Sequence, residues 1–160
     1  MRNVLLTITI GLISSSALAA AGHDDNSQSV SSTEIDRTIA VTTGDLWFKP
    51  DDLSIAPGET VKFVVENTGR LEHEFVIGSA DDQAEHREMM QQMAANGGVH
   101  DMSAGHHSGM QAMPSVTVAA GETKTLVWTA PETLDAALVY ACNIPGHFEA
   151  GMRGELLVQR

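Results

Sequence analysis

The sequence predicts an all-β sandwich interrupted by one partly helical insertion. Three observations carry that expectation. From Arg37 onward, short runs rich in Val, Ile, Thr and Phe recur along the chain. Turn residues punctuate them roughly every ten positions, the pattern of a two-layer sandwich. One stretch alone, between Ile77 and Ser115, departs from this rhythm.

Thr38–Thr42, Leu46–Phe48 and Asp52–Ile55 read as the first strands, and Pro57-Gly58 turns the chain into Thr60–Asn67. In that strand Phe63 and Val65 share one face, as alternate residues must. Thr68-Gly69 leads to His73–Ile77. Beyond the insertion come Ser115–Val118, the Ala120-Gly121 turn, Thr123–Thr129, the breaker Pro131, Ala137–Ala141 and Gly154–Val158. Trp47, Trp128 and Tyr140 are expected as core aromatics. Within the insertion, Ser79 suits the cap of a helix from Asp81 to Ala95, with Asp81 and Asp82 favourable in its first turn. Asn96-Gly97-Gly98 stops it, and Val99 to Pro114 is a Gly/Ser/His/Met loop.

The chain ends its first twenty residues in a different style. Arg2, an apolar run over Val4 to Ile13 and Ala17-Leu18-Ala19 form an export signal over residues 1–20. The run is shorter than the ~20 residues a membrane span needs. A polar lead-in is expected over 21–36 and the folded domain over 37–160, with the insertion at about 79–114. Export places the protein in the periplasm. The formal net charge is −12, and one unit more negative without Arg2. Such a surface disfavours nucleic acid and favours cationic partners or metal ions. No membrane span is expected, and the chain is expected to act as a monomer.

Cys142 is the single cysteine, an uncomfortable residue in an oxidising compartment unless something occupies it. It opens Cys142-Asn-Ile-Pro-Gly-His147-Phe-Glu-Ala-Gly-Met152, a C-x4-H-x4-M spacing between two strands. Thiolate, imidazole and thioether together suit copper in both its oxidation states. A buried inert cysteine beside a surface histidine pair and a core methionine is the plain alternative. A structural zinc site is another, although methionine is a poor zinc ligand. His73 is the one histidine embedded in strand pattern upstream.

With these residues, the chain resembles the cupredoxins, the small blue copper proteins. Phe48-x-Pro50-x-x-Leu53-x-Ile55-x-x-Gly58-x-Thr60-Val61-x-Phe63-x-Val65-x-Asn67 is similar to the family's first half, and the Cys142 loop to its ligand loop. The resemblance covers about 37–77 and 115–160. It implies a Greek-key sandwich and one type 1 copper, with His73, Cys142 and His147 trigonal and Met152 a weak axial ligand. Four residues between Cys142 and His147 resemble the azurin-like and rusticyanin-like branches rather than plastocyanin. Glu74 stands where many members carry an asparagine that ties the two ligand segments together. An ionised carboxylate there could not donate to the thiolate, so this neighbour of the ligands bears on potential and colour.

Cys142 is flanked by Ala141 and Asn143, and there is no His-x-His pair of the kind a multicopper oxidase uses. The expectation is therefore a carrier of electrons or copper rather than an enzyme. Likeness to the family makes His147 the electron port, ringed by Pro145, Gly146 and Phe148.

The insertion holds six of the eight methionines and four of the seven histidines. His86, Met89, Met90 and Met93 fall on one helical face, which either packs on the sandwich or binds metal. His100, Met102, His106, His107, Met110 and Met113 lie in the loop, without apolar period. The segment resembles the Met/His-rich tracts of exported copper-tolerance proteins, cupredoxins included, and is a candidate second, labile copper site. Cleavage after Ala20 would also expose Ala21-Gly22-His23 as a Cu(II) chelator, which cleavage after Ala19 would not. Two functions stand: an electron shuttle serving a redox partner, or a copper-tolerance protein that buffers copper or passes it to a copper-handling protein.

Overall fold

The computed structural model describes residues 34–96, 113–134 and 136–159. The expected signal peptide, most of the lead-in, and His100, Met102, His106, His107 and Met110 lie outside the described residues. The described chain runs β1 (Arg37–Gly44), β2 (Trp47–Lys49), β3 (Asp52–Ile55), β4 (Thr60–Asn67), β5 (His73–Ser79), α1 (Ala80–Ala95), β6 (Ser115–Val118), β7 (Thr123–Thr129), β8 (Leu138–Ala141) and β9 (Arg153–Val158). Asp36, assigned to the lead-in, is already tied to β4, exchanging hydrogen bonds with Thr60 through its backbone N–H and its carboxylate.

The strands form two sheets, β2-β1-β4-β7 and β3-β9-β8-β5-β6. β1 with β4 and β3 with β9 are parallel, and the other pairs are antiparallel. The expected sandwich is thus present. Alternation builds its core: Val61, Phe63 and Val65 of β4 face Phe75 and Ile77 of β5, with Tyr140 and Leu156 beside them. The Phe75 ring lies 5.2 Å from Phe63 and 5.3 Å from Tyr140, and each such buried ring stabilises the fold by about 1.5–3 kcal/mol. The Tyr140 hydroxyl donates to the Pro50 carbonyl at 2.6 Å, so its one polar atom is satisfied.

Trp47 corrects the expectation of three core tryptophans and tyrosines. It is 41% exposed, and Phe48 takes the core position. The β1–β2 turn passes through Leu46 in a left-handed conformation, φ 68°, so the strand starts one residue later than expected. Period-two alternation then sends Phe48 inward and Trp47 out.

Every residue of β5 from His73 to Gly78 is buried. One face meets the core, through Phe75 and Ile77. The opposite face, carrying Glu74 and Val76, lies under α1. Ser79 caps that helix as its pattern predicts, in a reciprocal capping box with Asp82. The helix begins at Ala80, one residue before the expected start, and ends at Ala95. Its buried residues are Gln83, His86 and Met90, spaced i, i+3 and i+7. His86 and Met90 belong to the stripe expected either to pack or to bind metal, whereas Gln83, being polar, lies outside that hydrophobic period.

Candidate metal centre

His73 and Cys142, far apart in the chain, are brought together by strand pairing and hydrogen-bonded turns. His73 opens β5, paired with Val118 of β6, and is fully buried. The turn before it is fastened twice. Asn67 Nδ2 donates to the carbonyls of Leu71 (2.7 Å) and Val118 (2.9 Å), and Asp45 Oδ1 accepts from the N–H groups of Arg70 and Leu71. Cys142 directly follows β8, whose pairing with β5 and β9 sets its height.

From Cys142 the chain makes a tight excursion and returns. The N–H of His147 donates to Ile144, that of Ala150 to Gly146 and that of Gly151 to Phe148. Gly146 and Gly151 have φ of 90° and 97°, a region that favours glycine, and each immediately precedes a residue of the motif. Met152 then closes the loop, its N–H donating to His147 O and its carbonyl accepting from Cys142 N, both at 3.1 Å. The x4 spacings are those this turn requires.

Three ligand-type atoms converge. His73 Nδ1 and His147 Nδ1 are 3.3 Å apart, Cys142 Sγ is 3.3 Å from His147 Nδ1, and the donor atoms of all three residues lie within 4.8 Å of one another. Two imidazole nitrogens and a sulfur so close together could hold a cation, and the mixture of N and S is one that copper favours. The Met152 side chain is fully buried in the same region, its backbone bonded to both Cys142 and His147.

The electrostatics prepare these groups unequally. Burial pushes the Cys142 thiol up to about 12, opposed by the backbone N–H groups of Glu74 and Ile144, with Glu74 and Glu72 adding to the rise. Burial holds His73 down to about 4, reinforced by His147 and partly offset by Asp45. His147 is also lowered, chiefly by burial, against the carboxylates of Glu74, Asp45 and Glu149. Both imidazoles are therefore ready as neutral ligands at neutral pH, and the thiol is the group that must surrender a proton.

Glu74 does two separate things. Its backbone N–H lies 3.3 Å from Cys142 Sγ and donates to it, so the link between ligand segments survives without an asparagine. Its buried side chain turns away, with Oε2 3.4 Å from Nε2 of His86 on α1. Of the stripe expected for a second site, His86 and Met90 are thus buried against the sheet, while Met89 and Met93 are half-buried. Met113 is half-buried beside Gly78, its sulfur 2.8 Å from where a Cβ at that glycine would stand. The patch around His147 differs from the expected apolar ring: Phe148 is stacked under Arg87, 3.7 Å from its ring centre, and Arg153, 4.7 Å away. Gln83, Asn143 and Arg87 escaped the sequence reading. The available sign was a helix face on which glutamine and histidine occupy positions usually apolar.

Comparison with known proteins agrees with this geometry. The family model described as copper binding proteins, plastocyanin/azurin family, matches residues 35–159. The chain is 36% identical to the copper-resistant cuproprotein CopI of Pseudomonas aeruginosa, over 92% of this chain and 91% of that protein. It is 50% identical to the protein of the same name from Vibrio cholerae, over 63% of this chain and 52% of that one. Among solved structures, auracyanin from Roseiflexus castenholzii superposes with a TM-score of 0.62 at 24% identity, covering 79% of this chain and all of that one, a likeness of fold.

Proposed function

Because the chain belongs to the plastocyanin/azurin family of copper-binding proteins, we propose that it holds one type 1 copper through His73, Cys142, His147 and Met152 and serves copper tolerance in the periplasm. The observation that carries the reading is the convergence of the His73, Cys142 and His147 donor atoms within 4.8 Å. Bound copper supplies a one-electron couple. The protein's part is to hold ligands that suit both oxidation states without rearrangement, which buried His73, buried Cys142 and a hydrogen-bonded loop favour. With four protein ligands no position is left for a substrate, so the site acts without catalysis of its own. Tolerance is supported by the copper-resistant relatives and by the Met/His content of the insertion. In this reading the export signal at 1–20 delivers a monomeric domain over 37–160, and the insertion binds further, labile copper.

The test begins with the purified protein freed of metal. Adding one equivalent of Cu(II) should produce an intense thiolate-to-copper band that Cys142→Ser abolishes; a colourless complex would sink the assignment. Deleting the gene should then make growth sensitive to copper. Electron transfer is the second reading, favoured by His147, half-exposed at the edge of the site. Loss of a respiratory activity with unchanged copper sensitivity would select it.

A further inference from the structure

One turn of α1 reaches the residue that follows each of three metal-site residues. His73 is followed by Glu74, whose carboxyl group faces His86 at 3.4 Å. Cys142 is followed by Asn143, whose Nδ2 donates to Gln83 Oε1 at 2.6 Å. His147 is followed by Phe148, over whose ring the Arg87 guanidinium lies at 3.7 Å. Gln83 is itself anchored, its Nε2 donating to the Val76 carbonyl at 2.9 Å and the Val139 carbonyl at 3.3 Å. It therefore bridges β5, β8 and the start of the ligand loop with one side chain.

Ordinary packing accounts poorly for this pattern. A helix lying on a sheet docks most cheaply through apolar residues, as Met90 does here. Burying a glutamine at 0% exposure and a histidine at 7% costs free energy that only specific partners recover. Those partners are fixed relative to the metal site. Glu74 also donates its backbone N–H to Cys142 Sγ, so holding the Glu74 side chain steadies a hydrogen bond to the sulfur. Hydrogen bonds to a ligating thiolate draw electron density from it and tune a copper site's potential.

We propose that α1 is a positioning clamp for the copper centre, in which Gln83, His86 and Arg87 hold Asn143, Glu74 and Phe148 and through them set the placement of Cys142, His73 and His147. The insertion then has a role at its helical end that is independent of any metal bound by its loop. The proposal rests on the four-ligand reading, and the experiment separates the two. Copper-loaded wild type is compared with His86→Ala, Gln83→Ala and Arg87→Ala by absorption, electron paramagnetic resonance and reduction potential. Glu85→Ala and Glu88→Ala, exposed on the same helix, serve as controls.

The expected result is a displaced charge-transfer band and altered copper hyperfine splitting in the three clamp variants. The potential falls in His86→Ala, because loosening the Glu74 N–H bond returns electron density to the sulfur. His86→Gln, which keeps a nitrogen donor toward Glu74, restores most of the shift, and the controls match wild type. Among the described residues Arg87 contributes a stacking contact with Phe148 and no side-chain hydrogen bond, so Arg87→Ala carries the test even if His86→Ala or Gln83→Ala does not fold. Folded variants with lowered melting temperatures but wild-type spectrum and potential would overturn the clamp and leave α1 as packing alone. Absence of a thiolate band in wild type would instead overturn the ligand assignment.

Discussion

Cys142 and His73 titrate in opposite directions for one reason, since burial penalises whichever form is charged. Near pH 7 the thiol, raised to about 12, keeps its proton, and His73, lowered to about 4, has none. Copper binding to the metal-free protein should therefore release one proton per metal, from Cys142. Calorimetry in buffers of different ionisation enthalpy measures this, and a release of two would show an imidazole protonated beforehand. The metal-free protein should also lose stability in acid. Between 6.5, the ordinary histidine value, and about 4, the unfolded chain binds a proton at His73 that the folded chain refuses. Stability falls as pH drops through that window and is flat with respect to this group above it. Gly154 gives a purely steric prediction. A Cβ there would collide with the Asp51 carbonyl and the Tyr140 hydroxyl. Gly154→Ala should cost about 1–3 kcal/mol in denaturant unfolding, as overpacking does.

α1 was legible at its ends and only in part along its face. Ser79, Asp82 and Asn96 carry local signals that do not depend on the rest of the protein, and the helix starts and stops within a residue of where they place it. Ser79→Ala removes the acceptor for the Asp82 N–H and the donor to its carboxylate, and should cost about 1 kcal/mol with loss of helical signal in circular dichroism. The copper spectrum should survive, because the cap lies about one turn from Gln83 and about two from His86 and Arg87. Along the face, the stripe of His86, Met89, Met90 and Met93 stood open between packing and metal binding, and Gln83 was not part of it. A buried glutamine and a buried histidine look like surface residues until Val76, Asn143 and Glu74, distant in sequence, are placed opposite them. The same blindness misplaced Trp47, whose side of the strand depends on where the β1–β2 turn ends.

At the scale of the whole molecule, the excess of acidic residues is a long-range property. If a cationic protein accepts copper or electrons from this one, association should slow on the order of tenfold or more between roughly 0.05 and 0.5 M salt, as steering is screened. Stopped-flow mixing measures it, and a salt-independent rate would show that local contacts govern docking.

The sandwich class, the sulfur- and nitrogen-bearing residues and their spacing could be read from the chain by itself. Alternation, turn residues and the C-x4-H-x4-M loop are short-range patterns, each complete within about a dozen residues. The meeting of His73 with Cys142, 69 positions apart, was indicated by His73 being the one upstream histidine in strand pattern and by resemblance, and folding accomplishes it through β5–β8 pairing and the Asn67 and Asp45 anchors. Only tertiary structure decided that Glu74 gives its backbone to the sulfur and its side chain to α1. Strand geometry sends those two groups of one residue in different directions, and what each meets is set by elements far away in sequence.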